Sequence, residues 1–393
     1  MSSHSVSSRL VATAAASAII ACLLAGPSRA QRPAPEASLH PVATFPRQVT
    51  GVAVSRDGRI FVSFPRWTED TPVSVAEVRQ DGSLTPYPDE AWNSWRNVRK
   101  NQMSAQDHFV CVQGVVADGH GNLWVIDPAA PAMERIVPGG PKLVKIDLST
   151  DRVVQTIRFD EAVAPQGSYL NDMRITPDGR HAFITDSGVR GAIVVVNLTS
   201  GRARRALDGH PSTQIERDVV VKTDDRELRR PDGRALEVSS DGIALSPDGG
   251  TLYWQALTGR TLYSIPTSAL ADSRMPSREL EGKVRKVGEN GVADGLLMNR
   301  RGRLYVTAPE ENAVKVREGE RLDVVVQDER LRWPDTLSEG PDGAIYATTS
   351  RIQDSAIFKP EAGPRIETQL WRIAVPQEAT GSIHQRLPLA PMK

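Results

Sequence analysis

Six times along the chain an apolar run of alternating residues meets a glycine-centred turn. Each time it resumes as a second run rich in Ile, Leu, Val and aromatic residues. The copies are GVAVSRDGRIFVSF (51–64), GVVADGHGNLWVID (114–127), DMRITPDGRHAFITDS (172–187), GIALSPDGGTLYWQ (242–255), GLLMNRRGRLYVTA (295–308) and LSEGPDGAIYATTS (337–350). Alternation on both sides of a turn has the two-residue period of a strand, not the 3.6-residue period of a helix. Four copies carry Asp-Gly in the turn: Asp57-Gly58, Asp178-Gly179, Asp248-Gly249 and Asp342-Gly343. Glycine supplies the positive φ that a tight hairpin needs, and Asp tolerates the neighbouring geometry.

The turn glycines 58, 121, 179, 249, 302 and 343 lie 63, 58, 70, 53 and 41 residues apart. A four-stranded blade takes roughly 40–50 residues, so the excess is loop. Further strand pairs follow the hairpins, as in KLVKIDLSTDRVVQTIRF (142–159) and GAIVVVNLTSGRARRAL (191–207). A lone four-stranded sheet leaves two faces open, whereas sheets stacked in a ring cover each other. The pattern predicts an all-β fold, a six-bladed β-propeller with a central channel, folding as one unit over residues 45–376. Helical signals are short, at 88–97 and 266–273. Residues 207–237 form a charged excursion between the third and fourth blades, of a length that often caps a site mouth.

Lys+Arg and Asp+Glu both number 48, so the formal net charge is zero. No basic field exists to draw nucleic acid or a membrane surface, and the expected partner is a small molecule. Residues 1–30 have a polar start with Arg9, an apolar run over 10–26, and SRA with small residues at the −3 and −1 positions. This is the pattern of a secretory signal peptide cleaved after Ala30. A competing reading is lipoprotein processing at Cys22. The expectation is a secreted or periplasmic protein with no stable membrane insertion after cleavage, a lead-in over 31–44 and a tail over 377–393. Cleavage leaves Cys111 as the only cysteine, in the apolar run FVCVQG, where it reads as a buried small hydrophobe.

The residues just ahead of each repeat read QVTG (48–51), CVQG (111–114), YLND (169–172), SSDG (239–242), VADG (292–295) and WPDT (333–336). In a propeller these approach loops converge at one mouth of the channel. They bring the carboxylates Asp172, Asp241, Asp294 and Asp335, with Asn171, Gln113 and Thr50 as polar company. A single Asp before a strand often bonds its own turn. Four in a ring repel one another unless a cation, a shared proton or a donor sits among them. GxSxG, HExxH, CxxC, Walker and EF-hand patterns are absent. His108, His120, His181 and His210 have no partner motif, and Trp67, Trp92 and Trp95 read as packing residues.

The pieces VTGVAVSRDGRIFVSFPRW, VQGVVADGHGNLWVIDP, YLNDMRITPDGRHAFITDSG, SDGIALSPDGGTLYWQALTGRTLYSIPTSAL and ADGLLMNRRGRLYVTAPEENAV resemble the yellow / major royal jelly protein family, in its bacterial branch. The resemblance runs from about residue 45 to 375. It implies an exported six-bladed propeller. The family includes insect cuticle-pigmentation proteins, an enzyme converting dopachrome, and salivary proteins that bind biogenic amines in the channel. A more distant resemblance is to the regucalcin / gluconolactonase family, whose members hold a divalent cation with a first-blade Glu, an Asn and an Asp. Here Asp294 matches the metal-binding Asp, Asp241 stands where the Asn is expected, Asn171 matches a substrate-side Asn, and Thr50 replaces the Glu.

Three readings follow from these resemblances. In a dopachrome-tautomerase-like isomerase, Asp172 and Asp241 are the candidate base and its partner, with Asn171, Gln113, Thr50 and Asp335 as ligand-binding groups. In a metal-dependent sugar-lactone hydrolase, Ca²⁺ or Zn²⁺ rests on Asp241 and Asp294. In a non-catalytic protein the same channel mouth binds a small polar or aromatic ligand.

Overall fold

In the computed structural model each repeat forms the first two strands of a four-stranded antiparallel sheet. The structure describes residues 37–67, 71–363 and 365–375. The expected signal peptide 1–30, the rival processing site at Cys22 and the tail 377–393 lie outside them. Six four-stranded sheets are present, with a small hairpin formed by Lys222–Thr223 and Arg226–Glu227. Their first strands are Val52–Val54, Gly114–Ala117, Leu170–Ile175, Ser240–Leu245, Leu296–Met298 and Pro334–Glu339. Each first strand packs against the first strands of its two neighbours, and the last closes onto the first. This is the predicted six-bladed ring around a channel.

The core is not one body but a set of layers between blades. Trp124, Ile126 and Leu143 of the second blade meet Leu170, Met173 and Ile184 of the third. Phe183 and Ile193 of the third then meet Ile243 and Trp254 of the fourth. This follows from the period-2 pattern, because a strand whose alternate residues face opposite sheet faces gives apolar side chains to both neighbours.

Ring closure differs from the sequence expectation. Ser38–Phe45, all but its last residue within the segment 31–44 read as a lead-in, is the outermost strand of the sixth blade. It pairs antiparallel with Thr368–Ala374, with a register shift between Pro41 and Ala43. Phe45 (1% exposed) and Leu370 pack with Val52 and Val62 of the first blade. The two ends of the described chain therefore share one sheet. Pro41 interrupts the alternation at the bulge, which hides this strand in the sequence.

Helices form at Glu90–Asn93 and Thr267–Ala271, as the sequence suggests, and also at Ser277–Glu281. Trp95 and Cys111 are fully buried, and Trp92 packs on Phe109 with ring centroids 5.0 Å apart. Burial pushes the Cys111 thiol up to about 12, which leaves it unreactive.

Candidate functional site

The approach loops reach the channel through a repeated local device. In the third blade Leu170 pairs with Asp186 and Met173 with Ile184, so two residues, Asn171 and Asp172, face Thr185 alone. The fourth blade does the same with Asp241 and Gly242, and the sixth with Asp335 and Thr336. A bulge of this kind re-aims a side chain at the cost of an unpaired amide. In the third and sixth blades the residue opposite answers that amide with a hydroxyl, and the fifth blade makes the same contact; in the fourth the residue opposite is Gln255. Asp172 N donates to Thr185 Oγ1 at 3.2 Å, Thr336 N to Thr348 Oγ1 at 3.1 Å, and Gly295 N to Thr307 Oγ1 at 2.8 Å. In the first blade Ser63 Oγ takes the same place, accepting from Gly51 N at 3.0 Å, and such hydroxyls then donate to the next blade: Thr185 to Asp241 O (2.6 Å), Thr348 to Thr50 O (2.6 Å) and Ser63 to Gln113 O (2.8 Å). The bulges that present the site thus also stitch neighbouring blades together.

In the fourth and fifth blades the residue after the approach-loop Asp must be glycine because of that closeness. A Cβ on Gly242 would lie 2.3 Å from Asp294 O, and one on Gly295 would lie 2.1 Å from Asp335 O. Gly295→Ala is expected to destabilise the protein by about 1–3 kcal/mol or more, measured by urea unfolding, because backbone rather than a flexible side chain must yield. An effect within the surface range of about 0.5 kcal/mol would contradict the packing described here.

At this end of the channel lies a cavity of about 320 Å³, of small-molecule size. Gln113, Asn171, Asp241, Asp294 and Asp335 form its polar floor. Asn171 Nδ2 donates to Asp241 Oδ1 at 2.8 Å and to Ser187 Oγ at 3.0 Å. Trp333 Nε1 donates to Asp294 Oδ2 at 2.6 Å. Along one wall Trp67 Nε1 donates to Tyr169 Oη (3.0 Å), which donates to Gln113 Oε1 (2.9 Å). Met133, Val189, Ile215 and Phe358 give the upper walls an apolar character, and Ile215, Arg230 and Glu237 show that the 207–237 excursion reaches the mouth.

Two buried ion pairs hold the second and third approach loops from behind. Asp127 accepts from Val110 N (2.7 Å), Cys111 N (2.9 Å) and Lys142 Nζ (2.7 Å), and both side chains of the pair are fully buried. Asp186 accepts from Ser168 Oγ (2.6 Å), Tyr169 N (2.8 Å) and Arg205 Nη1 (2.5 Å). Both aspartates end the second strand of their blade. Lys142→Met leaves Asp127 buried without its counter-charge. It is expected to cost about 3–5 kcal/mol in chemical denaturation, and a stability equal to wild type would contradict this pairing role.

The floor carboxyls hold their protons more tightly than exposed ones. Burial, then the neighbouring charges of Asp294, Asp172 and Asp335, raise Asp241 well above the carboxylate range. Burial, then Asp294 and Asp172, act alike on Asp335. Burial raises Asp294 to about 7, with the Trp333 N–H holding it back and Asp172 pushing it further. The site therefore gathers carboxyl groups whose hold on a proton is strengthened by burial and mutual repulsion, Asp294 to about 7. Carboxyls raised toward neutrality within one pocket suit acid–base chemistry.

Two of the sequence-derived residues fall elsewhere. Thr50 spends its hydroxyl on Gln113 O at 2.9 Å and does not line the cavity. Asp172 occupies the second bulge position, equivalent to Gly242, so Asn171 is the counterpart of Asp241 and Asp335. Its carboxylate lies against Gly114 of the neighbouring blade, below the floor. Trp67, read as packing, lines the cavity. Sequence reasoning misses Tyr169, Trp333 and Ser187. Their contacts join distant parts of the chain, although Tyr169 and Trp333 stand inside the very loops singled out.

A divalent cation finds a poor donor set here. Asp241 and Asp294 each give one oxygen to an N–H donor, and Thr50 replaces the acidic first-blade ligand and points elsewhere. Among the described residues no group of three or more His, Cys, Asp or Glu side chains is placed to hold a metal ion. The residues present do not fit the group, and no chemical step is assigned to it.

Residues 110–363 match the profile described as Major royal jelly protein. Major royal jelly protein 6 of Apis mellifera is 22% identical over 259 residues, covering 63% of this chain and 56% of that protein. The chain thus spans about half the length of this relative. A gluconolactonase of Zymomonas mobilis is 24% identical over 251 residues, covering 54% of this chain and 68% of the enzyme. Among solved structures, a gluconolactonase from Xanthomonas campestris superposes with a TM-score of 0.51 at 14% identity, covering 86% of this chain and 90% of that one. At such identity the likeness carries the fold alone.

Proposed function

This chain belongs to the major royal jelly protein family, and from that premise we propose that its channel mouth binds a small polar or aromatic carbonyl compound and moves a proton on it. The observation that carries this reading is the gathering of Asp294, Asp241 and Asp335 in one cavity, where burial raises Asp294 to about 7 and lifts Asp241 and Asp335 well above the ordinary carboxylate range. In the reaction the Asp294 carboxylate takes a proton from a carbon next to the carbonyl. Asp241 or Asp335 gives a proton to the oxygen, where negative charge would otherwise build. Asp294 then returns its proton to another position while the oxygen gives its proton back to the same Asp241 or Asp335, so the carbonyl re-forms, both carboxyls regain their starting states and the isomerisation has no net change in atoms or electrons. Asp172 is replaced as base by Asp294, because it does not line the cavity.

Dopachrome is the test compound suggested by the family resemblance. Purified protein should accelerate its decay, followed by absorbance, and Asp294→Asn should remove most of that acceleration. Equal rates for the two proteins would sink the proton-transfer reading. A second reading is binding without turnover. It is favoured by the apolar upper walls above an acidic floor, which suit an aromatic ring bearing an amine. Calorimetry with an aromatic amine, in the absence of turnover, separates the two. The lactonase reading, which needs a metal, lacks its ligand set here.

We also infer export of the protein, from the pattern at 1–30. The mature chain is expected to start at Gln31, and N-terminal sequencing that begins at a lipid-modified Cys22 would overturn this.

A further inference from the structure

The channel has a second chamber at its other end, and its chemistry is opposite in sign. This cavity, of about 370 Å³, is bounded by the turns between first and second strands, not by the approach loops. Its charged and polar lining includes Arg56, Arg174 and Arg300, from the first, third and fifth blades, with Asp118, His120 and Glu339.

Arg174 is the unusual member. At its level the other first strands carry Ala53, Val116, Ala244, Leu297 and Ser338, so it is the only charged side chain of that tier. Its guanidinium donates to Met173 O and reaches over to Leu296 O in the fifth blade, bridging part of the channel. Protein surrounds it, yet it stays partly accessible, as expected for a group facing a chamber. Its one nearby counter-charge is Asp172, whose carboxyl is raised by burial and held back by Arg174. Two carbonyl dipoles and a single buried carboxyl are all the compensation the protein sets close to this cation.

The acidic groups of the chamber are already engaged. Asp118 accepts from His120 N, Asn122 N and Nδ2, and Trp124 Nε1. Glu339 pairs with Arg300 at 3.2 Å and accepts from its backbone N–H at 2.8 Å. His120 Nε2 lies 2.9 Å from Pro177 O, which makes that ring nitrogen a donor and keeps the ring turned to the backbone. Arg56, exposed at the rim, has no carboxylate partner among the described residues.

We propose that this lower chamber is a binding site for a small oxyanion, a carboxylate or phosphate group, with Arg174 as its floor and Arg56 at its rim. The site is separate from the acidic one. An anion there adds negative charge on the chamber side of Arg174, where Asp118 and Glu339 are already engaged, and guanidinium groups match the planar and tetrahedral oxyanion geometries.

The test uses the purified protein with inorganic phosphate and, in parallel, succinate, each against sodium chloride at equal ionic strength. Wild type should show saturable thermal stabilisation by at least one of the two oxyanions, and the stronger arm separates tetrahedral from carboxylate preference. Arg56→Ala should weaken that binding at least tenfold, and Arg174→Met should abolish it. Arg152→Ala, on an exposed outer strand, should bind like wild type. Arg56 is exposed, so its variant tests the proposal even where Arg174→Met fails to fold. Stabilisation no greater than that by chloride, or unchanged binding in Arg56→Ala, overturns the proposal.

Discussion

A chain that starts after Phe45 should fail to form the closed ring. The strand Ser38–Phe45 supplies the outer edge of the sixth blade, and Phe45 is buried against Phe64 at 5.4 Å between ring centroids. Losing the Phe45 side chain alone removes about 2–3 kcal/mol of burial. Removing the whole strand also frees the backbone edge of Thr368–Ala374 and uncovers apolar surface shared with the first blade. Total stabilities are about 5–15 kcal/mol, so this loss takes most or all of the margin. The shortened protein is expected to aggregate or to lose its single cooperative transition in calorimetry. A chain starting at residue 37 should unfold like the 31–393 protein. A soluble, cooperatively folding 46–393 protein would show that the last blade does not need the N-terminal strand. Ending the chain after residue 330 should be equally destructive, since it removes the sixth blade and opens the ring.

Asp294→Asn should do two opposite things at once. Activity on a carbonyl substrate should fall by about 10²–10⁴, the usual contribution of a general base. Stability at pH 8 should rise. Burial raises Asp294 from the ordinary carboxylate value of 3.8 to about 7, so the folded state binds a proton more tightly than the unfolded state. That difference favours folding at low pH and is lost progressively as pH climbs from about 4 through 7. Asp241 and Asp335, also raised, add to the decline. Wild type should therefore melt at a lower temperature at pH 8 than at pH 5. The amide introduced by Asp294→Asn cannot ionise, and its oxygen can still accept from the Trp333 indole, so the variant should show a shallower decline. The rate of the wild type should rise through about pH 7 as Asp294 ionises, and fall where Asp241 or Asp335 gives up its proton. A variant with wild-type activity, or one less stable than wild type at pH 8, would remove Asp294 from the role given to it.

Local rules make much of this molecule readable. The hairpin glycines adopt the positive φ their sequence context requires, including 86° at Gly58, 68° at Gly179 and 80° at Gly343. Alternation of apolar residues marks the first two strands of every blade, because side-chain direction in a strand depends on spacing alone. The same rules point to the loops that form the cavity. They cannot rank the residues inside those loops. Asn171 and Asp172 are adjacent, and only the bulge opposite Thr185 decides that the first belongs to the floor and the second lies below it.

What the sequence by itself determined was the unit of construction: a strand–turn–strand repeat that can bury its faces only in a ring, and six polar loops carried to one end of that ring. What only the tertiary structure decided were the pairings between distant parts of the chain. Ser38 reaches Ala374, Trp67 reaches Tyr169, Trp333 reaches Asp294, and Arg174 reaches Leu296. These pairings also set the proton affinities of the floor, because burial and the approach of like charges arise only when separate blades close on one axis. A strand's pattern records which of its faces is apolar. It carries no record of which residue, a hundred positions away, will stand opposite.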